Sequence, residues 1–238
     1  MKIGIYGDSY TVINTGPGSN DAVGLSWVEH LSQIHEIKNF GKTGTSFRWS
    51  YQLFLENQER FDFNILVVSS PSRLYIKSLD DHPKKPDGHL FNQDAFIEEF
   101  KRRVGGNDET FNLLDSISVW VKKCMDHQFE DHLHRLMINN VLSFNNVLII
   151  PGFSDSVKDY NGNLTDLQAW ELLQIDPSFD NFGNMKDLRK CHLTERNNRT
   201  LYELVVNAIN QKEKVLRIDT SFFEKPDKTL DYYVSTWD

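Results

Sequence analysis

Apolar residues along this chain follow two rhythms that take turns. Residues 3–6, 36–40, 62–69, 147–150 and 215–219 are short runs rich in β-branched and aromatic side chains, which predicts strands. The run at 62–69 is the strongest. Phe63, Ile65, Leu66, Val67 and Val68 leave little room for polar positions, as in a strand covered on both faces of a parallel sheet. Between these runs the spacing lengthens to that of helices. Trp27, Leu31 and Ile34 mark one face of a helix from about residue 21. Residues 48–59 read as a second helix, and Phe96, Phe100 and Val104 line a third. Residues 111–143 are long enough that the helix there is expected to bend or break. A last helix, 195–210, follows the N-cap residue Thr194 and carries Leu201, Val205 and Ile209 on one side. Residues 11–20 and 80–89 are polar and read as loops, while 153–189 resist assignment apart from one short helix near 167–173.

Strands alternating with helices imply an α/β fold, a mostly parallel sheet with helices on both faces. The expected layout is one α/β domain over residues 1–220, with an elaborated helical region at about 90–144 and a C-terminal tail at 221–238. The formal net charge of −8 argues against a nucleic-acid partner. No apolar stretch approaches a membrane span, and Lys2 leads directly into a strand rather than a signal peptide. Two cysteines are too few for a disulfide framework. A cytoplasmic location is therefore expected, compatible with later release in a virus particle.

Parallel strands bring their carboxyl ends to one edge, where open α/β sheets hold ligands. Four such ends carry polar turns: Asp8-Ser9, residues 41–44, residues 69–73 and residues 151–154. Gly7 permits a sharp turn before Ser9, and a helix starting nearby would favour negative charge there. His192 precedes the last helix and can reach the same edge. A serine, a histidine and converging backbone N–H groups are the parts of nucleophilic acyl transfer. Ser9 is the candidate nucleophile, His192 the base and then acid, and the N–H groups of Ser9 and Gly44 the oxyanion donors.

Gly7-Asp8-Ser9-Tyr10 resembles the first block of the SGNH (GDSL-type) hydrolases, and Asn39-x-Gly41-x-x-Gly44 is similar to their second. His192 before an amphipathic helix looks like their fifth block. The resemblance implies a flavodoxin-like three-layer α/β/α sandwich and hydrolysis of esters, thioesters or acetylated sugars without metal or cofactor. It implies a small-molecule or saccharide ester as substrate and leaves the oligomeric state open. Two places depart from the pattern. The third block carries an asparagine donor in the family, whereas residues 69–73 read Ser-Ser-Pro-Ser-Arg. Ser70, Ser72 or Arg73 would have to donate instead; Arg73 equally suits a substrate carboxylate or a salt bridge to Asp8. The family's aspartate three residues before the histidine is Arg189 here, so Asp187 or a backbone carbonyl would orient His192. An O-acyltransferase using the same intermediate, and a non-catalytic module on the same fold, stand as alternatives. A phosphate binder ranks last, for want of a P-loop or dinucleotide signature.

The remaining candidates have plainer readings. Cys124, His127, Asp131 and His134 fall near helical spacing, but a solvated helix face is expected rather than a metal site. Trp49, Trp120, Trp170 and Trp237 are assigned to core or interface, with Trp170 also a candidate to line a groove. Cys191, beside His192, is taken as an incidental thiol.

Overall fold

Every residue of β1 (Lys2–Tyr6) after Lys2 is buried, because the strand runs through the middle of a sheet. That sheet holds β2 (Glu36–Asn39), β1, β3 (Phe63–Val68) and β6 (Val147–Pro151) in this order, all parallel. Two further short strands, β4 (Arg73–Tyr75) and β5 (His89–Phe91), form a separate antiparallel pair. The computed structural model describes residues 1–8, 10–13, 25–42, 45–69, 73–75, 89–91, 108–152, 193 and 195–223. Its helices are α1 (Trp27–Ser32), α2 (Phe47–Asn57), α3 (Asp108–Lys123), α4 (His127–Ser143) and α5 (Glu195–Gln211).

Alternation along the strands builds the layers. Ile3 and Ile5 of β1, Ile65 and Val67 of β3, and Leu148 and Ile150 of β6 share a core with Trp27, Val28 and Leu31 of α1 and Leu201, Val205 and Ala208 of α5. Tyr6, Leu66, Val68, Val147 and Ile149 point the other way, into a core with Phe47 and Phe54 of α2 and Ile138 and Val141 of α4. Each fully buried aliphatic or aromatic side chain contributes about 1.5–3 kcal/mol. Helices therefore cover both faces, and the molecule is an α/β sandwich of three layers. Val215 adds one parallel bridge beside Ile149, so the sheet reads in the doubly wound order of flavodoxin-like folds.

Local chemistry sets the element ends. Ser26 caps α1 in a capping box with Glu29, Ser46 caps α2, and Asp126 caps α4. The long helical run expected over 111–143 breaks at residues 124–126, where the Asp126 cap starts a new helix. On the second face, the buried Tyr6 hydroxyl donates to Asn64 Oδ1 at 3.2 Å, and burial pushes the phenol pKa up.

Several expectations need correction. Helix α1 ends at Ser32, so Ile34 falls in the following turn and is 52% exposed instead of completing an apolar face. Residues 215–219 make one bridge rather than a strand, because only Ile149 offers them backbone partners. His89 opens β5 and does not close a loop. His134 is buried between α4 and α2, its ring 5.0 Å from that of Phe47, and so lies off the solvated face proposed for it. Of the core-or-interface reading of Trp120, only the core half is excluded, since the side chain is exposed on α3. Residues 96–104, 153–189 and Thr194 lie outside the described residues. No helix among the described residues is long and apolar enough to cross a membrane.

Candidate active site

The sequence-derived site residues divide into two groups. Ser9, Gly44, Ser70, Asp187 and His192 lie outside the described residues, so the geometry comes from their immediate neighbours. Asp8 is described and fully buried. Its Oδ1 accepts the Tyr10 N–H at 3.1 Å, and its carbonyl accepts the Thr11 N–H at 3.0 Å and hydroxyl at 2.7 Å. Asp8 is thus tied to both Tyr10 and Thr11. Arg73 opens β4, its backbone paired with Phe91, and its side chain lies outside what is described.

The loop after β2 is tied to this turn. The Gly7 carbonyl accepts the Lys42 N–H at 3.1 Å and the Thr45 hydroxyl at 3.2 Å. Asn39 donates from Nδ2 to the Thr11 carbonyl at 2.6 Å, while its Oδ1 accepts the Gly41 N–H at 2.7 Å. Residues on both sides of position 44 are therefore held against residues on both sides of position 9. Gly41 must be glycine here, since a Cβ would collide with the Thr11 hydroxyl.

The segment before α5 is tied in by a longer path. Trp27 donates from its indole Nε1 to the Tyr10 carbonyl at 2.8 Å. Its backbone N–H goes to Asn198 Oδ1 at 3.0 Å, and Asn198 Nδ2 donates to the Leu193 carbonyl at 3.1 Å. Tyr10, Trp27 and Leu193 are all buried in the core on the α1/α5 side. One chain of hydrogen bonds thus joins the residue after position 9 to the residue after position 192.

At the start of α1, two backbone donors are held within the fold. Ser26 Oγ accepts from the Glu29 N–H, and Asn198 takes the Trp27 N–H, so these donors are already used. Among the described residues no group of three His, Cys, Asp or Glu side chains is arranged to hold a metal ion.

No protein-family model matches the chain, and no curated protein matches it in sequence. Solved structures offer distant likenesses. The acetylxylan esterase Axe2 from Geobacillus stearothermophilus is 13% identical, with a TM-score of 0.32 over 100% of this chain and 80% of that one. An arginine-to-alanine variant of Axe2, described as an acetyl-xylooligosaccharide esterase from Geobacillus, is 12% identical at a TM-score of 0.32, again over 100% of this chain and 80% of that one. A tryptophan-to-isoleucine variant is 15% identical at 0.27, over 63% of this chain and 75% of that one. Likenesses this loose leave the chemistry to the residues themselves.

Asn198, Trp27 and Asn39 tie the neighbours of the candidate residues together, and the sequence reading gave none of them that role. For Asn198 a signal existed. It lies three residues before Leu201 and seven before Val205, a polar side chain in the apolar stripe of α5. A polar residue on a core face needs partners, and here it finds two backbone groups.

Proposed function

We propose that this chain is a serine hydrolase that cleaves an ester through an acyl-serine intermediate, with the acetyl ester of a saccharide as one candidate substrate class. Ser9 attacks the carbonyl carbon while His192 takes its proton. The N–H groups of Ser9 and Gly44 hold the oxyanion, and water then releases the acid with His192 acting again. Asp187 is the candidate to orient the imidazole. One observation carries this reading: the path Tyr10–Trp27–Asn198–Leu193, which ties together the chain neighbours of Ser9 and His192. The bonds from Gly7 to Lys42 and Thr45 support a place for Gly44 at the same rim.

A fluorophosphonate probe tests the proposal. Labelling of the folded protein that is lost in both Ser9→Ala and His192→Ala is the expected result. Absence of labelling in folded wild-type protein would refute it and leave a non-catalytic module on this fold.

A further inference from the structure

β2 is an outer strand of the sheet. β1 lies on one side of it, and among the described residues no strand lies on the other. The opposite edge of the sheet is extended by the Val215 bridge beside Ile149. Glu36, at the start of β2, donates its N–H inward to the Met1 carbonyl at 3.1 Å, and Phe40, just past its end, donates to the Ile5 carbonyl at 2.7 Å. Backbone groups alternate along a strand, so Ile37 and Asn39 turn their N–H and C=O outward. Such an edge is a template for a further strand. Side chains alternate as well. Ile37 packs on the α1/α5 core, whereas Glu36 and Lys38 project from the other face and are exposed.

The order of charges on β2 makes the strand complementary to itself. Consider two copies of β2 paired antiparallel about a two-fold axis, outward residues matched with outward residues. With the axis on Ile37, Ile37 exchanges both backbone bonds with Ile37 of the second copy, and Asn39 comes level with His35 of the second copy. Glu36 then stands opposite Lys38 of the second copy, and Lys38 opposite Glu36, at non-hydrogen-bonded positions where facing side chains approach most closely. Moving the axis by one residue sets Glu36 against Glu36, or Lys38 against Lys38. The charges therefore favour one register and oppose its neighbours.

We propose that the outer edge of β2 is a homodimer interface. Two copies of this chain join antiparallel with Ile37 at the two-fold axis, and their sheets become one. The axis runs normal to the sheet, so the α1/α5 layers of both copies lie on one side and the α2/α4 layers on the other. The inference depends on β2 and its flanking residues and is independent of the hydrolase reading.

Sedimentation equilibrium from about 1 µM to about 1 mM tests this, with circular dichroism to check that each variant is folded. Wild type should show a monomer–dimer equilibrium. Lys38→Glu sets a carboxylate opposite Glu36 and should raise the dimer Kd about tenfold. Glu36→Lys sets two ammonium groups opposite each other and should do the same, at little cost to the fold because its bridge to Lys2 is exposed. Combining the two substitutions in one chain restores unlike charges across the axis and should restore the wild-type Kd. An equimolar mixture of the two single variants should also dimerise like wild type. Wild type that stays monomeric throughout the range would overturn the inference. So would single variants that dimerise as well as wild type, or failure of both the combined variant and the mixture to recover the dimer.

Discussion

Asn198 Oδ1 accepts the backbone N–H of Trp27 at 3.0 Å, across 171 positions of sequence. The other end of the same amide donates to the Leu193 carbonyl. One buried side chain thus serves two backbone groups, the N–H that opens α1, which helix geometry leaves without a partner, and a carbonyl just ahead of α5. Asn198→Ala strands both, and should cost about 2–4 kcal/mol in urea unfolding. Under conditions where this variant remains folded, Ser9-dependent hydrolysis should still fall, because the segment carrying His192 has lost its tether to α1.

Gly41→Ala tests the seam between the first two loops. The new methyl meets the Thr11 side chain and Asn39 Oδ1, so the loop after β2 must move away from the turn after β1. A loss of about 1–3 kcal/mol is expected. Trimming Thr11 to alanine in the same background should recover part of it, so the double variant should cost less than the sum of the singles.

Lys212 closes α5 at a φ of 57°, a left-handed conformation that side chains resist. Lys212 donates to the Ile209 carbonyl at 3.1 Å and Glu213 to the Ala208 carbonyl at 2.9 Å, the two bonds of a Schellman cap. Glycine suits that position better. Lys212→Gly should therefore stabilise the protein by about 0.5–1 kcal/mol, raising Tm by roughly 1–4 °C.

Burial holds the half-buried His35 imidazole below its ordinary pKa. Between the lowered folded value and the unfolded value near 6.5, the unfolded chain binds more protons. The His35 contribution is thus fully present above about pH 6.5 and is lost as pH falls towards the folded value. His35→Gln should flatten this part of the stability profile, measured by urea midpoints from about pH 7.5 down to pH 5.

Sequence alone determined the strands β1, β3 and β6, the helices α2 and α5, and with them the parallel α/β class. These rest on local facts: an apolar run or a 3.6-residue stripe, each legible within a dozen residues. It also marked the Asp8 and Asn39–Gly41 turns as special, through glycines that a tight turn or a close approach requires. Tertiary structure alone decided what the polar side chains do. Ile34 lost its place in the core when α1 stopped at Ser32, and His134 gained one because α2 lies across it. Asn198 found its partners in α1 and beside position 192. The reason is physical: periodicity is a property of neighbouring residues, whereas the partner of a buried polar group can come from anywhere in the chain.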